Sequence, residues 1–418
     1  MSAPDTEPKK NNLALWIFIG LIAGMIAGTS LNYLTTPEFI KSYVGVAKYG
    51  NIIFLKFIKL IIGPLVLSTL VVGVAGIGDA GTVGRMSVKT IGWFIFASLM
   101  SLTLGLILCN IFQPGLDFQN QISSDAAATS LVATDSFTLD HFIEQLIPEN
   151  IFVALSSHKM VLQIVVFSVL FGLATAAIGE KGKPIISAMD SLAHVMLKLT
   201  NMIMWVAPLA VFCAISIVIA EKGVGVMVEY GKLILLFYFA LFILWSILLF
   251  LGFLFVKKRI WSLLRHIQEP LLLAFATASS ESAYPKLLNQ LERFGVNERI
   301  VSFVLPLGYS FNLDGSMMYM TFGSILIAQA YGVDLTITQQ MTMLLVLMVT
   351  SKGIAAVPRA SLVVIAATIA GFGIPEIGIA LLLPIDQFLD MGRTATNVVG
   401  NAVATVAVSR MEGEEIHT

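Results

Sequence analysis

Six stretches of this chain run for roughly twenty residues or more with few charged side chains: Leu13–Tyr33, Val44–Val74, Ile91–Phe112, Met160–Ile178, Val195–Ala220 and Leu233–Val256. A helix needs about 20 apolar residues to cross the hydrocarbon core of a bilayer, so these runs point to a multi-pass membrane protein. The longest exceed that length and must tilt or overhang. Phe142–Leu155 is shorter and is expected to be a partial segment packed on its neighbours. Only 12% of the 418 residues are charged, against about 25% in a soluble domain. A formal net charge of −1 excludes broad electrostatic attraction to nucleic acid. Cys109 and Cys213 each lie inside an apolar run, as small core residues rather than a disulfide or metal pair. The run after the polar stretch Met1–Asn12 is too long for a signal-peptide core and lacks a cleavage site of small residues, so it is expected to stay as the first span. No targeting or lipidation motif stands at either end.

Basic residues set the orientation. Lys9 and Lys10 precede the first span, Arg85 and Lys89 separate the second from the third, and Lys257, Lys258, Arg259 and Arg265 follow the sixth. Between Thr90 and His158 there is no Lys or Arg, while Asp117, Asp125, Asp135, Asp140, Glu144 and Glu149 fall there. The N-terminus is therefore expected in the cytoplasm of a cell-membrane protein, with an acidic, solvated connection outside. The histidines are scattered near loops and span ends and carry no assigned role.

The last third of the chain changes character. Leu271–Thr277 runs into the small polar tip Ala278-Ser279-Ser280-Glu281-Ser282. Met341–Val349 runs into Thr350-Ser351-Lys352-Gly353, then Val357-Pro358-Arg359-Ala360-Ser361, then Leu362–Ala370. Each apolar arm is too short to cross the membrane as helix, and paired short arms meeting at a polar tip suggest a re-entrant hairpin, tolerated only beside protein or a wet cavity. A long span carrying charge follows each: Ile300–Ala330, with Asn312-Leu313-Asp314-Gly315, and Ile377–Val408, with Asp386, Asp390 and Arg393. Hairpin plus charged span, twice over, is the pattern of an internal repeat, and interrupted helices meeting near mid-membrane mark a transporter.

A charge at the centre of a span costs about 2.5–3.5 kcal/mol on insertion scales and needs a reason. In the last span Asp386, Asp390, Arg393, Thr394, Asn397 and Asn401 fall within about 100° of arc at helical spacing, so the expectation is an apolar helix with one polar stripe. An Asp390–Arg393 ion pair that merely ties two helices would leave Thr394, Asn397 and Asn401 unexplained. The break Asn312-Leu313-Asp314-Gly315-Ser316 lies inside an apolar span. Gly315 eases unwinding, which frees backbone groups for a solute or ion; the plainer alternative is a satisfied kink. Glu281 is either a wet loop residue or a titratable group at the mouth of a site. Ser279, Ser280 and Ser282 offer donors suited to a carboxylate.

Four segments, in order, resemble the glutamate/dicarboxylate–cation symporter family. Ser310-Phe311-Asn312-Leu313-Asp314-Gly315-Ser316 is similar to its seventh-span motif, and Asp390-Met391-Gly392-Arg393-Thr394 with Asn397 to its eighth. Thr277–Ser282 and Ser351–Pro358 resemble its two hairpin tips. The resemblance covers nearly the whole chain. It implies an all-α integral membrane protein of eight transmembrane helices plus two re-entrant hairpins, built from inverted repeats. Tails would occupy 1–12 and 411–418. A scaffold of spans one, two, four and five (13–80 and 140–222) would form a homotrimer, and a transport domain (85–113 and 226–410) would move across the membrane like a lift. The resemblance further implies that Arg393, helped by Ser316, binds a side-chain carboxylate and Asp390 an α-amino group. Thr394 would line the same site, Asn397 with Ser279 and Ser280 would hold the α-carboxylate, and Val357 and Pro358 would close the second tip as gate. A planar guanidinium reads a carboxylate bidentately, and Asp390 rejects solutes without an ammonium group. The family's C4-dicarboxylate carriers lack that aspartate, so the expected solute is glutamate or aspartate. No cofactor is implied.

Departures from the sodium-coupled members bear on the driving ion. This chain has Asn401 where they carry a carboxylate, and Phe94 and Ala97 where they carry hydroxyls, keeping only Ser98. Asn312 and Ser351 remain as residual cation-site positions. Losing such oxygens strips ligands a hard cation needs, and Lys352 occupies a tip position where it could act as a built-in cation. The pattern resembles the proton-coupled branch, with Glu281 first and Asp314 second as proton carrier; Met320 stands where several relatives have Glu or Gln and cannot titrate. Arg359 and Ala356 replace glycines of the second tip, and Arg359 either attracts substrate or faces water. One proton per glutamate makes a neutral cycle worth about 1.4 kcal/mol per pH unit. A second would add the pH term again plus about 2.3 kcal/mol per 100 mV, so steep accumulation calls for two.

Enzyme readings fail on motif. Asp314 and Asp390 could suggest an intramembrane aspartyl protease, but no Gly-x-Gly-Asp is present and Arg393 would hold Asp390 ionised. Ser310 is not in a Gly-x-Ser-x-Gly elbow. An ion channel is the remaining rival, separated from a carrier by saturable, stoichiometric uptake.

Overall fold

The structure is a computed structural model that describes residues 13–77, 84–119, 149–156, 161–351, 360–414 and 416. Among these the chain is helical, with no strand. The first half comprises α1 (Leu13–Leu34), α2 (Pro37–Ile77), α3 (Gly84–Phe112), α4 (Val161–Ala177), α5 (Lys183–Ile203), α6 (Ala207–Lys222) and α7 (Val226–Val256). The second comprises α8 (Ile260–Thr277), α9 (Ser280–Arg293), α10 (Glu298–Phe311), α11 (Asp314–Ala330), α12 (Ile337–Thr350), α13 (Ala360–Ala370) and α14 (Asp386–Met411). Helix starts follow local chemistry: the Asn297 side chain accepts from Arg299 N, and Thr336 with Gln339 forms a capping box, each satisfying amides that have no partner within the helix.

Val195–Ala220 falls within one long helical stretch, Gly179–Lys222, tightened into a 3-10 turn at Met204–Val206 just before Pro208. Proline lacks an N–H, so the turn ahead of it departs from the regular pattern. Two expected segments differ from what forms. The last span does not run from Ile377. A 3-10 helix covers Glu376–Leu381 and α14 starts at Asp386, after Pro384. Of Phe142–Leu155, residues 142–148 lie outside the described residues, and the remainder enters the short helix Ile151–Ser156. The expected interruption of Ile300–Ala330 does form, at Asn312 and Leu313 between α10 and α11.

Four helical stretches among the described residues are long and apolar enough to cross a membrane: Leu15–Leu34, Val88–Phe112, Gly179–Lys222 and Val226–Thr277. Large apolar side chains stay exposed along them, such as Trp16, Phe18 and Ile26 on α1 and Leu235, Phe242 and Phe250 on α7. In water this would be costly; against lipid it is the expected surface. Helices α1, α2, α4, α5 and α6 pack chiefly on one another, whereas α3 and α7 to α12 gather around α11 and α14. The groups meet through α2 with α13 and α4 with α12. Every residue from Gly392 to Ser409 is buried, so this part of α14 is enclosed on all sides, its polar stripe included.

Candidate functional site

The centre of the molecule is built where the α10–α11 break, the start of α9 and the start of α13 reach α14. Arg393 is among the largest fully buried side chains. Its Nε lies 2.6 Å from Asp390 Oδ1, one turn earlier on the same helix, as expected for a long side chain leaning toward its N-terminus. The pair lies within one helix and ties no two helices together. Arg393 Nη1 donates to Ser316 Oγ at 3.1 Å and to Ser361 Oγ at 3.0 Å, and Nη2 donates to Thr394 Oγ1 at 3.3 Å. Thr394 Oγ1 in turn donates to the Asp390 carbonyl at 2.7 Å. One turn on, Asn397 Nδ2 donates to Ser316 Oγ at 3.1 Å and Ser280 Oγ at 3.5 Å, and its Oδ1 accepts from Ser316 N at 3.2 Å. Residues from four helices thus converge on one guanidinium and one amide. Such close approach requires Gly315: a Cβ there would sit 2.1 Å from the Arg393 carbonyl.

A second polar cluster lies behind the break. Asp314 is fully buried; its Oδ1 accepts from Ser101 Oγ at 3.2 Å and its Oδ2 from Asn312 Nδ2 at 3.2 Å. The carboxylate rests on the backbone of α14 at Gly400, where a Cβ would come within 2.0 Å of Oδ2. Both donors, Ser101 and Asn312, are neutral.

The remaining expected positions separate. Asn401 stays on α14 but faces Gly308, with Phe94 alongside, and neither of its amide atoms has a hydrogen-bond partner among the described residues. Ser98 is buried on α3, and Ser351 spends its hydroxyl on the Met348 carbonyl. Ser279 forms the turn before α9 and follows Ala278, which adopts the left-handed conformation at φ 49°. Glu281 is the second residue of α9, with a side chain outside what is described. Lys352, Ala356, Val357, Pro358 and Arg359 all lie outside the described residues.

Residues 13–411 match the sequence model of the Sodium:dicarboxylate symporter family. The chain belongs to this family. It is 42% identical over 411 residues to the proton/sodium-glutamate symport protein of Bacillus caldotenax, covering 97% of this chain and 96% of that one. It is also 40% identical over 413 residues to the proton/glutamate-aspartate symporter of Escherichia coli K12, covering 96% and 93%. To the C4-dicarboxylate transport protein of Pseudomonas syringae pv. syringae it is 40% identical over 370 residues, covering 86% and 81%. Two residues of this family member escaped the motif reading. Ser361, which bonds the guanidinium, is the single hydroxyl before the apolar run of α13, and that isolation was its only signal. Ser101 holds Asp314 but sits among other small residues of an ordinary apolar helix. Asp386 was visible in the stripe; that it turns toward Tyr319 instead of Arg393's partners required the fold.

Proposed function

We propose that this family member is a proton-coupled symporter that takes up acidic amino acids, L-glutamate or L-aspartate, across the cell membrane, with its N-terminus cytoplasmic. The observation that carries the reading is the buried Arg393–Asp390 pair, ringed by Ser316, Ser361 and Thr394. A guanidinium and a carboxylate 2.6 Å apart form the complement of a zwitterion that bears one extra acid group. On entry the side-chain carboxylate takes the guanidinium as a bidentate partner, and the α-amino group takes Asp390. Each half of the protein's own ion pair thereby gains a new counter-charge. A dicarboxylate without an ammonium group would strip Asp390 of its guanidinium and replace it with nothing, a loss of about 3–5 kcal/mol for a buried pair. Asn397, Ser280 and Ser279 stand where the α-carboxylate would lie, and Val357 and Pro358 would close over it.

The proton reading is supported by Asn401 beside Phe94, and by the buried apolar Ala97 and Met320. An amide beside a phenyl ring is a poor oxygen set for a hard cation. Lys352 would act as a built-in cation near the second tip. Glu281 is the first candidate for proton carrier in this reading and Asp314 the second. Asp314 is buried and accepts from two neutral donors, Ser101 and Asn312. The eight-span topology, with α8–α9 and α12–α13 as re-entrant hairpins, is supported by Ser280 at the start of α9 reaching Asn397 and Ser361 at the start of α13 reaching Arg393. An elevator movement of 85–113 and 226–410 against 13–80 and 140–222 is supported by the two packing groups. A homotrimer is supported by the apolar side chains left uncovered on α2, among them Phe39, Val46, Tyr49 and Ile53.

The test is uptake of labelled glutamate into proteoliposomes under an inward pH gradient or an inward sodium gradient. Uptake driven by the pH gradient alone is expected, with glutamate and aspartate competing and succinate failing to compete. Uptake that needs sodium and ignores pH overturns the coupling, and succinate as the better competitor overturns the substrate class.

A further inference from the structure

The apolar run of α7 ends abruptly on charge. Between Lys232 and Lys257 the chain carries no charged residue, about 36 Å of helix at 1.5 Å per residue, against about 30 Å of hydrocarbon core. Phe250, Phe253 and Leu254 are exposed over the last turns of α7, the surface expected against lipid tails. Lys257 follows them directly, which puts its ammonium at the depth of the headgroups. Lys257, Lys258 and Arg259 form an exposed 3-10 turn, with Lys257 in the left-handed conformation at φ 52°. The chain then enters α8, where Trp261 is 65% exposed and Arg265, one turn on, shares its exposed face.

We propose that this α7–α8 corner binds the phosphate groups of anionic phospholipids through Lys257, Lys258 and Arg265, with Trp261 seated among the headgroups beside them. The three basic side chains are uncommitted: among the described residues none of them forms an ion pair or a side-chain hydrogen bond. Basic residues nearby behave differently. Lys89 pairs with Glu412 at 2.8 Å, and Lys286 of α9 pairs with Glu269. Glu269 stands one turn beyond Arg265, yet it turns to α9 and leaves the guanidinium open. Arg259 is engaged by the end of the chain, donating to the Ile416 carbonyl, and is not part of the proposed site.

Charge complementarity and the apolar flank choose the occupant together. Basic clusters at the end of a span attract anionic lipid headgroups, and long basic side chains reach the interface while their stems cover apolar surface. An exposed indole suits the same depth, its ring toward the tails and its N–H toward water. A soluble anion would answer the charges but leave Trp261, Phe253 and Leu254 in water; a phospholipid answers both. The corner belongs to the helix group gathered around α11 and α14, so a lipid held there bears on the body that carries Arg393. The proposal stands apart from the choice of coupling ion and solute.

The test uses the full chain in neutral detergent, titrated with micelles containing dansyl-labelled phosphatidylglycerol or dansyl-labelled phosphatidylcholine, with energy transfer from tryptophan as the readout. The parent is compared with a Lys257→Gln, Lys258→Gln, Arg265→Gln variant, all three positions being exposed. The parent is expected to bind phosphatidylglycerol at least tenfold more tightly than phosphatidylcholine, the preference shrinking as salt screens the charges. The variant should bind the two alike. Equal binding by the parent overturns the proposal, and so does a parental preference in the variant. Glycerol phosphate that displaces the labelled lipid at equal concentration overturns a lipid as the occupant. If the triple variant does not fold, Lys258→Gln and Arg265→Gln decide singly. Each should lower the preference about fivefold, and an unchanged preference in both overturns the proposal.

Discussion

Arg393 is tolerable in the middle of this molecule because oxygen atoms of Asp390, Ser316, Ser361 and Thr394 answer it. Removing it does more than delete a ligand. Arg393→Ala strands Asp390 in a dry site, and breaking one side of a buried pair costs about 3–5 kcal/mol. Glutamate uptake should fall at least a hundredfold, with thermal stability in detergent lowered as well. Arg393→Lys keeps the charge but cannot reach Ser316, Ser361 and a substrate carboxylate in one plane; KM should rise about tenfold to a hundredfold while the protein stays folded. Ser361→Ala is the milder case. It removes one hydrogen bond to a charged group, about 1.5 kcal/mol, so KM for glutamate should rise about tenfold, and initial-rate uptake would show it.

Elements here do what single residues cannot. The two-residue break between α10 and α11 lets Ser316 face Asn397 while Asp314 faces Ser101, so one interruption serves two clusters. It works only because α11 lies directly on α14. Gly400→Ala would drive a methyl group into the Asp314 carboxylate, so that side chain must turn away from its partners. Overpacking of this kind costs about 1–3 kcal/mol. The expected outcome is a lower melting temperature together with a weakened pH response, since the Asp314 bonds to Asn312 and Ser101 are displaced. A variant that melts and transports like the parent would show that this contact is not maintained in the membrane. Ala278 stores strain at the first tip: a left-handed alanine costs about 1–2 kcal/mol. Ala278→Gly should relieve it and accelerate exchange of the tip amides in hydrogen–deuterium measurements.

Across the whole molecule, the contrast is between tight packing within each helix group and sparser contact between them. Glycines on α1 let α6 approach closely; a Cβ at Gly24 would come within 2.1 Å of Ile215 and 2.7 Å of the Phe212 carbonyl. Such fits resist sliding. The two groups meet between α2 and α13. Cysteine pairs placed across that boundary, after Cys109 and Cys213 have been replaced, should stop net uptake on oxidation while glutamate binding persists. Uptake that continues with the crosslink complete would argue against relative movement of the two groups.

The residues alone determined that the chain spans a membrane, because about twenty apolar residues in water have nowhere else to go. They also marked α14 as the chemical helix, since charge in such surroundings must have a partner. Local order set the break at Asn312 and the polar tips as well. The late start of α14 was hidden, because hydropathy does not register where a proline ends one helix and begins another. The partition of the stripe was hidden too. Helical periodicity places Asp386, Asp390, Arg393 and Asn401 on one face, yet only packing against α7, α10 and α11 decides that Tyr319 takes the first, that the middle two pair, and that Gly308 and Phe94 enclose the last. Spacing along a chain reports which way a side chain points; which atoms it meets depends on helices hundreds of ångströms away along the extended chain, brought together only by the fold.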